Sequence, residues 1–310
     1  MPRPNSAATR HRNRRRLPFI ACFLLLALAC SSPLGAAQDP RLATAITAIE
    51  ARVRASGADV AIAFHTLDGQ HQFSLNPDET FHAASTMKIP VMIELFHQAK
   101  DGKLKLDDSL AIKNEFHSLA DGSVFTLNAA DDSETDLYQA EGQTRTLRQL
   151  CELMITSSSN LATNLLIEKL GVQNIRATVN ALHAGGMQVL RGVEDDRAFA
   201  KGMNNTTTAR GLEQLLEALA TGQAVDAHAS QEMIDILKRQ KFNEGIPAGL
   251  PLGTPVAHKT GEITKIHHDA AIVFAPKPFV LVILVRGLAD LKDSSALMAD
   301  ITRRLYQATQ

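Results

Sequence analysis

Seven consecutive apolar residues, Phe279-Val280-Leu281-Val282-Ile283-Leu284-Val285, stand between Pro276-Lys277-Pro278 and Arg286-Gly287. The run is too short to cross a hydrocarbon core as a helix, which takes about 20 residues. Its β-branched content and proline punctuation make it a buried strand. Two further strands are predicted near 256–259 and 270–274, and the connections are short enough to make all three antiparallel. At the other end of the chain Leu42, Ala45, Ile46, Ile49 and Val53 recur at helical spacing, which predicts a helix over 40–55. Val60, Ile62 and Phe64 then alternate, and Asp68-Gly69 precedes a short run at 72–75, a hairpin signal because Asp-Gly supplies the positive φ of a tight turn.

Between these two groups, residues 85 to about 240 read as helical. One amphipathic face carries Ile89, Met92, Ile93 and Phe96; others carry Leu147, Leu150, Cys151 and Met154, or Leu212, Leu215, Leu216 and Leu219. A last helix carries Leu297, Ile301 and Leu305. The order is helix, two strands, helical block, three strands, helix. It predicts an α+β fold in which an antiparallel five-stranded sheet is flanked by helices and an all-helical lobe is inserted. The first and last helices cover one face of the sheet and the helical block the other. A crevice between lobes is a common place for a binding site.

Residues 1–37 read as an address. Arg10, Arg12, Arg14, Arg15 and Arg16 precede an apolar run from residue 17 to 29, the pattern of a secretory signal. Two exits fit: cleavage after Gly35-Ala36-Ala37, or a lipoprotein signal ending at Cys30 in Ala27-Leu28-Ala29-Cys30. The body, 38–310, is then exported, to the periplasm or the cell envelope. Removing the six arginines of this segment from the 32 basic side chains leaves 26 against 33 acidic ones, a net −7. A body of that charge is a poor partner for nucleic acid. Of three cysteines only Cys151 lies in the body, where it reads as a core residue and excludes an intrachain disulfide there.

Three short stretches carry chemistry. Ser85-Thr86-Met87-Lys88 opens an amphipathic helix, so Lys88 can lie beside Ser85 on one face. A serine hydroxyl becomes a nucleophile when a base takes its proton, and a buried lysine can be that base. Ser158-Ser159-Asn160 falls between two helices, and Lys259-Thr260-Gly261 on a strand of the far lobe. Taken singly, each also fits a bland role: a capping serine with a solvent lysine, a capped turn, a strand end. Their order and context together do not.

The set resembles the S-x-x-K, S-D-N and K-T-G motifs of the serine penicillin-recognising superfamily, and most closely class A β-lactamases. The segment from Met154 to Leu166 looks like the family's throughout, and the resemblance covers the body from about residue 40 onward. It implies the same fold and no cofactor. It implies Ser85 as the acylated nucleophile, Lys88 as its proton-transfer partner, and Ser158 as the relay to the leaving nitrogen. Asn160, Lys259 and Thr260 match substrate-binding positions, and the backbone N–H groups of Ser85 and Glu262 match the oxyanion hole. The deacylating glutamate is less plain, because the family's E-x-x-L-N pattern is absent. Glu194, 36 residues after Ser158, is the candidate base, although Glu194-Asp195-Asp196 also fits a solvated acidic turn. Ser159 replaces the aspartate of S-D-N, so the buried hydrogen bonds made there must differ. No arginine matches the family's carboxylate ligand; Lys265, His267 and His268 are weak substitutes. The long polar stretch between Lys103 and Thr144 either roofs the crevice or is a surface excursion.

A metal site is not expected. Adjacent His267 and His268 on a strand point to opposite faces, and Asp131-Asp132-Ser133-Glu134-Thr135-Asp136 lacks the glycine and ligand order of a calcium loop, so a solvated charged loop is expected there. The implied activity is opening of the β-lactam ring through an acyl-serine. The alternatives are a peptidoglycan D,D-peptidase or other acyl hydrolase, and a β-lactam-binding protein without turnover. The expected partner is a small β-lactam or peptidoglycan-like substrate, met by a monomer.

Overall fold

The structure, a computed structural model, describes residues 39–310. The expected address segment, with Cys30 and the Gly35-Ala36-Ala37 exit, lies outside the described residues. Helix α1 (Pro40–Ser56) starts on an Asp39 cap with proline in its first turn and stops at Gly57 in the left-handed conformation. Strands β1 (Asp59–Thr66) and β2 (Gln72–Leu75) form the hairpin that Asp68-Gly69 foretold. Strands β3 (Val256–Ile263), β4 (Ile266–Val273) and β5 (Phe279–Arg286) complete one antiparallel sheet, ordered β2-β1-β5-β4-β3. The first two of these run several residues beyond their sequence expectation. They are joined by Thr264-Lys265, with Lys265 at φ 60°, a turn that apolar patterning does not reveal.

The long apolar run is explained by burial on both faces. Phe279, Leu281, Ile283 and Val285 pack with α1 and the final helix α8 (Leu291–Thr309). Val280, Val282 and Leu284 point the other way, into the core shared with the helical block. That block contains α2 (Lys88–Lys100), α3 (Leu147–Thr156), α4 (Asn160–Leu170), α5 (Val172–Ala181), α6 (Ala209–Ala220) and α7 (Ala227–Leu237). Helix α6 lies against the sheet itself.

Helix α2 corrects one expectation. It is not amphipathic: every residue from Lys88 to Phe96 is buried, polar Lys88 and Glu94 included. It runs through the middle of the helical lobe, packed on α3, α4 and α5. A helix hydrophobic all round belongs inside, and Pro90 is tolerated because the first-turn N–H groups have no intrahelical acceptor. The stretch between Lys103 and Thr144 is a folded excursion. It pairs Ser109–Ala111 with Thr144–Thr146 and Phe116–His117 with Val124–Phe125, and its Asn128 and Asp131 line the crevice.

Ile283 sits mid-strand on β5, opposite Ile62 on one side and Asp269 on the other, with no exposure. Ile283→Ala is expected to cost about 2–5 kcal/mol, seen as a lower denaturant midpoint. Leu252→Ala, at a fully exposed position, leaves that midpoint where it was.

Candidate active site

Ser85 lies in a tight helical turn, Ala84–Met87, that leads directly into α2. The turn begins at Ala84 with φ 45°, an uncommon conformation for a residue with a Cβ. The turn presses against β3. A Cβ on Gly261 would stand 3.1 Å from the backbone nitrogens of Ser85 and of Thr86, so glycine is what lets β3 approach. Ser85 itself is half-buried and opens onto the crevice.

Three residues along, Lys88 is wholly buried. Its Nζ donates to the Ser158 carbonyl at 2.6 Å, to Ser158 Oγ at 3.1 Å and to Asn160 Oδ1 at 2.9 Å. Lys259, also wholly buried, reaches the same hydroxyl from the sheet lobe: its Nζ donates to Ser158 Oγ at 3.0 Å and to the Thr260 carbonyl at 2.8 Å. Burial disfavours the ammonium forms. It brings Lys88 down to about 7, against the opposing pull of Asp132 and Glu194. Lys259 is lowered well below the usual lysine range by burial and then by the neighbouring Lys88 cation.

Ser158 precedes α4 and has φ 59°. Asn160, first residue of α4, divides its amide between two partners. Its oxygen accepts from Lys88, and its Nδ2 donates to Glu194 Oε1 at 3.1 Å. Glu194 Oε2 accepts from the Asn128 backbone N–H at 3.3 Å. Half-burial raises the Glu194 carboxyl above its ordinary range, with nearby Asp131 and Asp132 adding to the rise and the two hydrogen bonds opposing it. Glu194 too has positive φ, 61°. Ala84, Ser158 and Glu194 are three of the six non-glycine residues with positive φ among those described, and strain of that kind persists where surroundings over-determine it.

The segment bearing Glu194 is pinned on both sides. Buried Asn164, on α4, accepts from Val193 N at 2.7 Å and donates to the Val193 carbonyl at 2.9 Å. Asn205 accepts from the backbone N–H groups of Leu190 and Arg191 and donates to the Arg191 carbonyl. Asp195 is buried, not solvated: it caps a short helix at Ala198 and accepts from Ser118 Oγ at 2.7 Å. The acidic-turn expectation fails at that residue because its carboxylate is the local anchor.

The structure therefore joins Lys88, Ser158, Asn160, Lys259 and Glu194 in one hydrogen-bonded chain. Ser85, Thr260 and Glu262 line the same crevice, which opens as two adjoining hollows of about 660 and 540 Å³. Sequence reading missed Asn164, Asn205 and Asp132. The last is a correction: Asp132 is buried, its Oδ2 accepting from Asn160 N at 2.8 Å and Leu161 N at 2.9 Å, so the expected solvated loop is partly interior. Of the substitutes for a carboxylate-binding arginine, His267 is bound to Ser294 and His268 to the His82 carbonyl, on opposite faces of β4. Burial lowers His268 to about 4, so it is neutral at pH 7. Among the described residues no group of three or more His, Cys, Asp or Glu is placed to hold a metal ion.

Such an arrangement can activate a hydroxyl nucleophile with a neutral amine, move a proton through a second hydroxyl, and polarise a water with a carboxylate. Known proteins share the frame. The chain is 25% identical over 302 residues to the extended-spectrum beta-lactamase PER-1 of Pseudomonas aeruginosa, across 91% of this chain and 92% of that one. The solved beta-lactamase of Sphaerobacter thermophilus superposes with TM-score 0.75 at 26% identity, covering 86% of this chain and 97% of that one. A mutant PBP-A, solved as an acyl-enzyme complex with penicillin G, superposes with TM-score 0.73 at 25% identity, over 88% and 98% of the two chains. The family match itself runs over residues 41–309, nearly the whole described fold, and the chain belongs to the beta-lactamase enzyme family.

Proposed function

We propose that this protein is an exported serine β-lactamase that opens the ring of penicillins or cephalosporins through an acyl-serine at Ser85. The observation that carries the reading is the Ser158 hydroxyl held between the two buried lysines, Lys88 at 3.1 Å and Lys259 at 3.0 Å. Family membership and the beta-lactamase names of the relatives support it.

In the first step Ser85 Oγ attacks the ring carbonyl and its proton passes to neutral Lys88. Burial brings Lys88 down to about 7, which puts the free amine within reach at neutral pH; in that form it keeps two N–H groups and gives up one of its three donated contacts. The oxyanion is taken by the backbone N–H groups of Ser85 and Glu262; the close packing of Gly261, the residue before Glu262, on the Ser85 turn supports this pairing. As the ring C–N bond breaks, the proton moves from Lys88 through Ser158 Oγ to the leaving nitrogen, with Lys259 steadying that hydroxyl. Lys259 and Thr260 receive the substrate carboxylate, and Asn160 its side-chain carbonyl. Glu194 then takes a proton from water as the water oxygen bonds to the acyl carbon; the ester C–O bond breaks, and the proton held by Glu194 is passed on to Ser85 Oγ, so that both residues return to their starting forms. A half-buried carboxyl with a raised pKa is a stronger base than a solvated one. The same residues on a peptidoglycan-like substrate would run a D,D-peptidase. The carboxylate tied to Asn160 favours hydrolysis over a persistent acyl-enzyme. The enzyme acts as a monomer in the periplasm or cell envelope.

Intact mass of the protein mixed with benzylpenicillin or a chromogenic cephalosporin tests the reading. A transient adduct on Ser85 with steady product release is expected, and none with Ser85→Ala. An adduct that persists in the wild type would replace the β-lactamase reading with the peptidase or the non-turnover protein. Glu194→Gln is expected to trap the adduct and to lower kcat by about 100- to 10,000-fold, the usual weight of a general base. Neutral Lys88 is the competent form, so kcat/KM should fall as pH drops through about 7. An acid limb centred well away from there would remove Lys88 from the base role.

A further inference from the structure

Ser159 stands where the S-D-N motif has its aspartate, and a carboxylate lies in contact with it. It comes from Asp132, 27 residues earlier in the chain and on the excursion that roofs the crevice. Asp132 Oδ2 accepts from Asn160 N at 2.8 Å, Leu161 N at 2.9 Å, Tyr138 OH at 3.0 Å and Ser159 Oγ at 3.3 Å, while Oδ1 accepts from Glu134 N at 3.0 Å. The side chain is buried. Two of these donors are first-turn N–H groups of α4, an 11-residue helix whose N-terminus favours a negative charge. Burial, and then Asp132 itself, raise the Tyr138 phenol, which keeps its proton and donates.

We propose that Asp132 is a positioning residue for the acyl-serine reaction, supplying from a separate segment the carboxylate that the family motif carries at the position of Ser159, and thereby setting Ser158 and Asn160 against Lys88 and Glu194. The inference rests on the hydrolase reading for its kinetics but not for its geometry. Asn160 links the anchor to the reacting groups. Its backbone N–H is fixed by Asp132, while its side chain joins Lys88 on one side to Glu194 on the other. Ser158, immediately before the anchored turn, accepts from Lys88 through both its carbonyl and its hydroxyl. A loss of this anchor moves three contacts of Lys88 at once.

The charged groups acting on Lys88 are Asp132 from the excursion, Glu194 from its pinned loop and Lys259 from β3. Asp132 favours the Lys88 cation, so removing its charge makes neutral Lys88 available at lower pH. The test is Asp132→Asn in the full protein, with circular dichroism as the folding check. The expected result is a fall in kcat of about 100-fold, the scale of a misplaced reacting group, with KM little changed. The acid limb should move to lower pH, in step with a downward shift of the Lys88 titration followed by NMR of labelled lysine. A merely structural role would lower rates without moving either. An unchanged kcat, or an unmoved Lys88 titration, overturns the proposal. The NMR readout stands even for a protein that hydrolyses no β-lactam, an outcome that would sink the functional reading alone. Should Asp132→Asn not fold, Ser159→Asp is added to it, restoring a carboxylate at the N-terminal cap of α4. A folded double variant within about tenfold of wild-type kcat supports the proposal, and one about 100-fold slower overturns it.

Discussion

Two lysine side chains are buried against one serine hydroxyl. Lys88 and Lys259 are both without exposure, and each donates to Ser158 Oγ. Burying two cations side by side is costly unless they are paired or lose a proton. Here the acceptors are carbonyls, one hydroxyl and one amide oxygen, with the carboxylates of Asp132 and Glu194 acting from farther off. Burial pushes both lysines toward the free amine, and in the proposed reaction it is the free amine of Lys88 that takes the Ser85 proton. The lobes meet at this point: Lys88 arrives on the buried central helix, Lys259 on the edge strand of the sheet.

The fold pays attention to the same junction in its backbone. The turn carrying Ser85, the turn leading into α4 and the segment bearing Glu194 each contain a residue at positive φ. None is relaxed locally. Each is held by neighbours: Gly261 gives the Ser85 turn its room, Asp132 holds the start of α4, and Asn164 clamps both backbone groups of Val193. A rigid scaffold with strained, over-determined turns is a means of keeping reacting groups placed before substrate arrives.

Much of this was legible before folding. The helix–hairpin–helical block–three strands–helix order follows from apolar spacing, because a strand buried on both faces and a helix with one apolar stripe leave different periods. Ser85, Lys88, Ser158, Asn160, Lys259 and Thr260 stood in three local motifs, each short enough to be read as a string. Glu194 is reached only by interval, and the alternative of a solvated acidic turn is excluded at its neighbour Asp195 by burial alone. Helix α2 reads as amphipathic in sequence because Lys88 and Glu94 look like a polar face, whereas both are buried with partners.

The sequence by itself determined the element order, the candidate nucleophile and the lysines beside it, since local spacing and residue chemistry suffice for those. Only the tertiary structure decided which acid anchors α4 and which amides hold the Glu194 segment. Asp132 and Leu161, or Asn164 and Val193, lie about 30 residues apart in the chain and meet at about 2.9 Å in space. The physical reason is that a carboxylate or amide in a polar stretch carries the same local pattern whether it ends in water or against a buried N–H. Its partner is chosen by how the chain packs, and no window of neighbouring residues contains that choice.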